Sequence, residues 1–134
     1  MKIVHTFAEA LDRDDYETAL SLLEPDATYQ RNNDLIRGAS AIVDSFRRVS
    51  DWGGHNLDAL EYAHEIDDES SPLEISFIDI LRRNGDELRI QHSMYLEISE
   101  NGLIGRLSFV QPPGEKEILG EFFRRHQLQP PGSE

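Results

Sequence analysis

One aspartate and one histidine interrupt two otherwise apolar stretches in the middle of the chain. Asp79 lies in LEISFIDIL (73–81) and His92 in LRIQHSMYLEIS (88–99), and the Asn84-Gly85 pair between them is typical of a hairpin turn. A hairpin closed there places Asp79 diagonal to His92, roughly 7–8 Å away between backbones. An imidazole oriented by a carboxylate at that range can act as a general acid–base pair.

The residues that share a face with Asp79 and His92 are mostly apolar. Strand alternation assigns to this face Ile75, Phe77, Leu81, Ile90, Met94, Leu96, Leu107, Phe109 and Gln111. The first hairpin sets Phe77 opposite His92, and a second one, turning at Glu100-Asn101, is predicted to set His92 opposite Phe109. An unpaired carboxylate in an apolar wall is costly, so Asp79 needs a partner, and His92 and Arg31 are the candidates.

Three interpretations of this group are open. In the first, His92 is a general acid–base oriented by Asp79. Tyr29, Arg31 and Gln111 then bind a polar or anionic part of a ligand, and the apolar contacts come from Phe77, Met94, Phe109 and Trp52. In the second, the same pocket binds a ligand without chemistry. In the third, the group is a hydrogen-bonded structural cluster.

Other candidate groups have simpler structural explanations. Trp52 and His55 flank Gly53-Gly54, so they either rim a pocket mouth or are a packed aromatic and a surface histidine. The HEIDDE segment (64–69) is similar to a zinc-protease signature but lacks the second histidine, so no metal is expected. The chain has no phosphate-binding glycine loop and no Gly-x-Ser-x-Gly elbow, and no cofactor is expected.

The length, composition and net charge of the chain argue against several classes of partner. The 134 residues suit one domain, and 13 basic against 26 acidic residues give a net charge of −13. Such a surface repels nucleic acid and anionic lipid, so neither nucleic acid nor membrane is an expected partner. No apolar run reaches about 18 residues and the N-terminus does not resemble a signal peptide. A cytoplasmic location is expected, with which the absence of cysteine is compatible.

Apolar residues at helical spacing predict two helices at the N-terminus. They are Val4, Phe7, Ala8 and Leu11, followed by Tyr16, Ala19, Leu20 and Leu23. Asp14 is predicted to cap the second helix with Glu17 three residues on, and Pro25 to end it. A third helix is predicted to begin just after Gly38 and to end before Gly53-Gly54.

Strand patterns dominate the rest of the chain. PDATYQRNNDLIRG (25–38) predicts a strand, a polar turn and a second strand tip, and 55–66 is interpreted as a strand because a meander follows it. The meander consists of 73–81, 88–99 and 103–110, and a last amphipathic helix is predicted beyond Pro112-Pro113-Gly114. Helices first and an antiparallel meander afterwards indicate an α+β domain.

This order of elements resembles the nuclear transport factor 2-like superfamily, and most closely its SnoaL-like branch of small bacterial proteins. The resemblance is carried by FAEALDRDDYETALSLLEPDATY, IRGASAIVDSF and LEISENGLIGRLSFV. It implies a cone-shaped, cystatin-like α+β fold in which a strongly curved antiparallel sheet wraps the N-terminal helices and a pocket opens at one end. We expect one such domain over residues 1–128, including an extra C-terminal helix, and a loose tail over 129–134.

The superfamily includes ketosteroid isomerase, scytalone dehydratase, polyketide cyclases and non-catalytic domains. The three functional positions of ketosteroid isomerase fall here on Phe7, Arg31 and Met94, none of which can perform the required role, so that mechanism is excluded. The same overlay places Tyr29 and Arg31 on the pocket wall. The resemblance thus implies a pocket for a hydrophobic, partly anionic small molecule, with isomerase-, cyclase- or dehydratase-like acid–base chemistry as one option. The alternative is a non-catalytic homodimerising interaction domain.

The opposite face of the strands is also partly apolar. Alternation assigns to it Ile78, Ile80, Tyr95, Ile104 and Val110. Strands that are apolar on both sides require cover on both sides, and the helices cover only one. We therefore expect a homodimer that pairs through the outer face of the sheet, as the family resemblance also implies.

Overall fold

A computed structural model describes residues 2–67, 69 and 72–131 of the chain. The helices are α1 (Lys2–Asp12), α2 (Tyr16–Ser21), α3 (Ala39–Asn56) and α4 (Glu115–Arg125). The strands are β1 (Leu23–Arg31), β2 (Asp34–Arg37), β3 (Ala59–Asp67), β4 (Leu73–Arg83), β5 (Asp86–Ile98) and β6 (Ile104–Val110). The predicted α+β class is confirmed. Within the described ranges, no helix is both long and apolar enough to cross a membrane.

The six strands form one curved, unclosed sheet in the order β2-β1-β6-β5-β4-β3. The meander from β3 to β6 is antiparallel, and so is the pairing of β1 with β2. β1 and β6 run parallel, so the sheet is mixed where the sequence predicted only antiparallel pairing. Parallel neighbours need a long crossover connection, which α3 and the first three strands of the meander provide.

The second helix begins one residue later than predicted. Its N-cap is Asp15, whose carboxylate accepts from the Thr18 backbone N–H at 3.2 Å and from the Thr18 hydroxyl at 2.7 Å. Asp14 instead has a φ of 56°, a left-handed conformation that aspartate tolerates. The helix ends at Ser21 and Pro25 lies inside β1, so the predicted stop at the proline is wrong.

Helix α3 continues through Gly53-Gly54, where the sequence predicted its end. Gly53 is buried, and a Cβ placed there would lie 2.5 Å from Leu60 Cδ2. The missing side chain therefore lets β3 pack directly on the helix. Residues 55 and 56 are consequently helical, and the strand predicted to begin at 55 begins at Ala59.

Alanine at these two glycines should have opposite effects on stability. Gly53→Ala drives a methyl group into Leu60 and should lower the free energy of unfolding by about 1–3 kcal/mol. Gly54→Ala meets no atom within 4 Å, and should raise it by about 0.5–1 kcal/mol because alanine is the better helix former. Urea unfolding of both variants measures the difference. Equal effects would contradict the close approach at Gly53.

The hairpin between β4 and β5 has the predicted register. Arg83 lies opposite Asp86 and Phe77 opposite His92. Asn84 and Gly85 have φ values of 52° and 79°, the two positive angles that a two-residue hairpin turn requires. The turn residues therefore fixed which side chains share the inner face.

The hairpin between β5 and β6 differs from the prediction by two residues. Met94, not His92, lies opposite Phe109. Glu97 pairs with Arg106, whereas the next residue, Ile98, pairs with Ile104. Gly105 is therefore an extra residue in β6, a β-bulge. A bulge of this kind cannot be read from alternation, which assumes two uninterrupted strands.

The inner face of the sheet packs on the helices and forms the main core. Its fully buried residues include Val4, Phe7, Ile42, Ile75, Leu96, Ile104 and Leu107. The sequence placed Ile104 on the outer face, and this is wrong because the bulge at Gly105 reverses the alternation there. A second, smaller cluster lies under α4 and contains Leu57, Leu81, Phe122 and Phe123.

The chain beyond α4 returns to α3. Trp52 Nε1 donates a hydrogen bond to the Gln129 carbonyl oxygen at 2.7 Å, and Pro131 lines a cavity beside α3. Residues 132–134 of the tail lie outside the described residues. The C-terminal segment therefore contributes to the packing at least as far as Pro131.

Candidate functional site

Strand register brings two histidines onto one row of the inner face. His64 on β3, Phe77 on β4 and His92 on β5 are successive cross-strand partners. Cross-strand partners point to the same side of a sheet, and two strand spacings separate the backbones of the histidines by about 10 Å. Tyr62 and Asp79 form the adjacent pair on the same face. The titratable side chains are thus gathered in one region of an otherwise apolar wall.

The Asp79 and His92 side chains face each other as the diagonal placement predicts. His92 Nε2 lies 4.0 Å from Asp79 Oδ2, and the two side chains are 15% and 18% exposed. This is an ion-pair distance, longer than a hydrogen bond. The His92 ring lies between Phe77 and Phe109, at centroid distances of 6.2 Å and 4.8 Å. The pair is therefore largely shielded from water by aromatic rings.

A further carboxylate lies on the other side of the His92 ring. Glu115, the first residue of α4, is 6% exposed, and its Oε1 lies 3.5 Å from His92 Nδ1. Among the described residues, neither His92 Nδ1 nor Glu115 Oε2 has a hydrogen-bond partner. Both imidazole nitrogens thus face carboxylates. Glu115 has no distinctive sequence signal, because an acidic residue is ordinary in the first turn of a helix, where it interacts favourably with the helix dipole.

The carboxylates of Asp79, which is largely shielded, and Glu115, which is buried, lie near one imidazole, so this part of the inner face carries more negative than positive groups. Burial raises the pKa of the Asp79 carboxyl from its usual 3.8 to about 6, the His92 ring opposes this shift, and the Glu115 and Asp12 carboxylates add to it. The raised pKa brings the proton equilibrium of Asp79 closer to neutral pH, the range in which general acids and bases are most effective.

This raised pKa makes stability depend on pH in a definite direction. A carboxyl whose pKa is higher in the folded state stabilises the fold fully below pH 3.8, and the contribution is lost as the pH rises through about 6. We expect the free energy of unfolding of the wild type, relative to Asp79→Asn, to fall by about 2–3 kcal/mol over that window. Urea unfolding across the range measures it. A difference that does not change with pH would contradict the buried, charged Asp79.

A second imidazole–carboxylate pair, between His64 and Asp12, was not anticipated from the sequence. Asp12 Oδ2 and His64 Nδ1 are 2.5 Å apart, and the side chains are 18% and 19% exposed. Asp12 is the last residue of α1, four positions after the buried Ala8, and so lies toward the core. Every second residue of β3 is at least partly shielded, namely Leu60, Tyr62, His64 and Ile66, and the residues between them are exposed. The apolar members of this alternation are the sequence signal that could have placed His64 on the inner face.

Tyr29 and Arg31 share a side of β1 but do not join this cluster. Tyr29 is buried and packs on Phe46 at a centroid distance of 5.3 Å, and burial raises the pKa of its hydroxyl. Arg31 lies over the Tyr29 ring, with its Cζ 5.9 Å from the centroid, and pairs with Asp34 at 2.8 Å. The contact found for Asp79 is therefore His92 rather than Arg31, and the guanidinium serves the β1–β2 turn.

The other predicted ligand contacts divide between the cluster and the packing of helices. Phe77 and Phe109 contact His92, Met94 is buried in the main core, and Gln111 follows the end of β6 half-buried. Trp52 lies within α3 and packs on Phe123 at 5.2 Å. It therefore contributes to the docking of α4, not to a rim beside a glycine turn.

Cavities open on the surface of the described chain, and two of them lie beside α3. One of about 490 Å³ lies between α2 and α3 and is lined by Tyr16, Ala41 and Arg47, among others. The other, of about 340 Å³, is lined by Arg31, Ile36, Arg48 and Pro131, among others. Neither has Asp79 or His92 on its wall. The cluster on the inner face is instead covered by the start of α4.

The carboxylates and imidazoles are not arranged as a metal site. No group of three or more His, Cys, Asp or Glu side chains is placed to hold an ion within the part of the chain that the structure describes. In the HEIDDE segment, His64 is engaged with Asp12, and Asp68 lies outside the described residues.

Comparison with known proteins supports the fold and does not extend to close relatives. No family model and no curated protein matches the chain. Among solved structures, a nuclear transport factor 2-like protein of unknown function from Burkholderia pseudomallei superposes with a TM-score of 0.67 at 16% identity, covering 92% of this chain and 94% of its own. Similarity at this identity is similarity of fold.

Two further structures are similar to the same extent. A protein from Xanthomonas campestris pv. campestris, provisionally assigned as a polyketide cyclase, superposes with a TM-score of 0.66 at 16% identity, covering 93% of this chain and 94% of its own. TerC, crystallised with polyporic acid, gives a TM-score of 0.68 at 13% identity, with 90% and 96% covered. All three matches extend over nearly the whole of both chains.

Proposed function

We propose that this chain, which has the nuclear transport factor 2-like fold, binds a small apolar molecule against the inner face of its sheet and transfers a proton to or from it. The observation that carries the proposal is the pair of histidines on either side of Phe77, each beside a carboxylate that is largely shielded from water. Buried charged groups reduce stability unless they are well paired, so a cluster with unpartnered atoms marks a candidate site of function.

His64 is the base in this proposal. Asp12 accepts from Nδ1 at 2.5 Å and so fixes the tautomer that carries its proton on Nδ1. The other nitrogen, Nε2, then holds a lone pair and can take a proton from a ligand. A carboxylate that orients an imidazole in this way also stabilises the cation that forms when the proton arrives.

His92 is the acid. Asp79 lies 4.0 Å from its Nε2 and Glu115 3.5 Å from its Nδ1, so each nitrogen faces an acceptor and the protonated ring is stabilised from both sides. One imidazole held as a base and another as an acid allow a proton to leave one atom of a ligand while another atom gains one. Proton removal from a carbon next to a carbonyl group is the reaction class that uses such a pair, and isomerase-, cyclase- and dehydratase-type reactions share that step.

The ligand is an apolar molecule with one carbonyl or phenol oxygen. The wall around the histidines is made of Phe77, Met94 and Phe109, which supply apolar contacts. The anionic group expected from the sequence rested on Arg31, and Arg31 is paired with Asp34. With Asp12, Asp79 and Glu115 in the cluster, a neutral ligand suits the site better than an anionic one. The crystallisation of TerC with polyporic acid and the provisional polyketide cyclase assignment support a small-molecule role for proteins of this fold.

Exchange of carbon-bound hydrogen tests this function without knowledge of the natural substrate. The protein is incubated in heavy water with a panel of apolar aryl ethyl ketones, and loss of the α-hydrogen signal is followed by proton NMR. We expect exchange faster than in buffer or with protein inactivated by urea. Exchange at the buffer rate for the whole panel would contradict the proton-transfer role.

A second candidate function, pairing without catalysis, is favoured by the outer face of the sheet. Val110 is 47% exposed, and Ile80 and Tyr95 on the same face are only half-buried. The absence of His92 and Asp79 from the two cavities described above fits this alternative as well. A second copy of the chain would cover these apolar residues and would form a homodimer.

Sedimentation at micromolar concentration tests the pairing. A dimer mass together with no ketone exchange would favour the pairing function, whereas a monomer mass would contradict it. Val110→Asp should then shift a dimer toward monomer, because it places a charge in the apolar contact. Ile118 is exposed on α4, so Ile118→Asp is the matched control and should leave the sedimentation mass unchanged.

A further inference from the structure

Glu115 is the one charged residue that is buried in the described part of the chain. It begins α4, where side chains normally face solvent, and the three residues that follow it in the helix, Lys116, Glu117 and Ile118, are all exposed. Its Oε1 is 3.5 Å from His92 Nδ1, beyond hydrogen-bond reach for good geometry, and its Oε2 has no partner among the described residues. A carboxylate held in this way is poorly compensated for its loss of water.

The first turn of α4 is attached to the rest of the molecule more weakly than the last turn. Phe122 and Phe123 anchor the second half of the helix in the smaller core cluster, and Asp86 accepts from Arg125 and contacts His126 at 2.8 Å. The first turn follows an exposed Pro112-Pro113-Gly114 segment, in which Gly114 has a φ of 86°. The helix can therefore stay docked through its C-terminal half while its first turn moves.

We propose that the first turn of α4 is a gate, in which Glu115 occupies the place of a ligand oxygen beside His92 and moves outward when a ligand binds. This inference rests on the proposed function and adds to it the group that selects the ligand. The ligand's carbonyl or phenol oxygen accepts from His92 Nδ1 once the Glu115 carboxylate has left. The gate thereby selects an oxygen acceptor at one end of an apolar molecule.

The charges around Glu115 make the gate sensitive to pH. From the sheet it faces His92 and, beyond that ring, Asp79, while α1 contributes the Asp12 carboxylate that is paired with His64. Below about pH 6, a protonated Asp79 no longer repels the Glu115 carboxylate, which stays beside the His92 ring. Above it, Asp79 and Glu115 repel each other. The gate is therefore closed at low pH and opens as the pH rises.

Amide hydrogen exchange measured by mass spectrometry tests the motion. After correction for intrinsic rates, peptides covering 112–119 should lose protection on the order of ten-fold between about pH 5 and about pH 8, while peptides covering 120–126 should not. Glu115→Gln removes the repulsion and should abolish this pH dependence. Glu117→Gln, an exposed change in the same turn, should retain it. Equal pH dependence in wild type and Glu115→Gln, or equal protection of both peptides at both pH values, would overturn the gate.

Binding of a fluorescent naphthyl ketone, prodan, tests whether the motion admits a ligand. Glu115→Ala should bind the dye on the order of ten-fold tighter than wild type, because no closed population has to open first. Equal affinity of the two proteins for the dye would contradict the gate but would still support a ligand pocket. If neither protein binds the dye while the amide exchange behaves as expected, the proposed pocket is contradicted and only the moving turn is supported. The two proposals thus fail in distinguishable ways.

Discussion

Replacing His64 by glutamine should lower the rate of ketone α-hydrogen exchange by about 10²–10⁴-fold, the usual contribution of a general base. Glutamine is close in size and polar, so it can keep a contact with Asp12 and preserve the packing of β3. It has no lone pair on nitrogen that could take a proton. Asp12→Asn should also lower the rate, because an amide no longer fixes the imidazole tautomer that Asp12 selects at 2.5 Å.

The control for this pair is a histidine of the same chain that lies outside the cluster. His55 is exposed on α3, where its Nδ1 contacts the Asp51 carbonyl oxygen at 2.7 Å. His55→Gln should leave the exchange rate within about two-fold of wild type, since surface substitutions rarely perturb the fold. An equal loss in His55→Gln and His64→Gln, or no loss in His64→Gln, would refute the assignment of the base. Circular dichroism establishes that each variant is folded.

Replacing Phe122 by alanine should lower the free energy of unfolding by about 3–5 kcal/mol, the usual cost of emptying a buried phenylalanine site. Phe122 is 1% exposed, and it contacts Phe123 at 6.3 Å and His126 at 4.7 Å between ring centroids. Its removal therefore loosens the half of α4 that is anchored. The measurement is urea unfolding followed by circular dichroism and by the fluorescence of Trp52, the single tryptophan, which packs on Phe123.

The two signals separate global from local effects of Phe122→Ala. A transition in Trp52 fluorescence that precedes the loss of circular dichroism would mean that α4 undocks before the sheet unfolds. Ile118→Ala on the same helix is the control, because Ile118 is 52% exposed and its truncation should cost no more than about 0.5 kcal/mol. A cost for Phe122→Ala as small as that for Ile118→Ala would contradict the anchoring role of the smaller cluster.

Local sequence signals were sufficient where one turn decided the geometry. Asn84-Gly85 supplies both positive φ angles of a tight hairpin, so the register of β4 and β5 followed, and with it the facing of Asp79 and His92. The α+β class followed from the order of helical and alternating segments in the same way. These features depend on residues close together in the chain.

Features that depend on distant contacts were missed. The turn between β5 and β6 shifts the register by one position and the extra residue at Gly105 by one more, which turns Ile104 into the core; the alternation of β6 gives no sign of either shift. In the sequence, Gly53 predicts a helix end. In the structure, its missing side chain lets Leu60 approach α3 closely, and this contact cannot be predicted until the positions of α3 and β3 are known. The contact of Asp12 with His64 joins residues 52 positions apart in the chain.

The charges near the histidines explain why a neutral ligand is proposed in place of the partly anionic one expected from the sequence. From the sequence, Arg31 was available to neutralise either Asp79 or an anionic ligand, because only its position on the strand was known. The structure shows it paired with Asp34 across the β1–β2 turn, a partner only three residues away. Proximity in the chain makes such pairing inexpensive in conformational entropy. The inner cluster is consequently left with an excess of carboxylates, to which a neutral ligand is better suited.

The most direct measurement follows the ring signals of the five histidines by NMR while prodan is added to the wild-type protein. If the inner face of the sheet holds the ligand, the signals of His64 and His92 shift together with one dissociation constant. His126, held by Asp86, and the exposed His55 then stay in place. Saturable dye binding that shifts only histidines outside the inner face, or leaves His64 and His92 unmoved, would contradict the account.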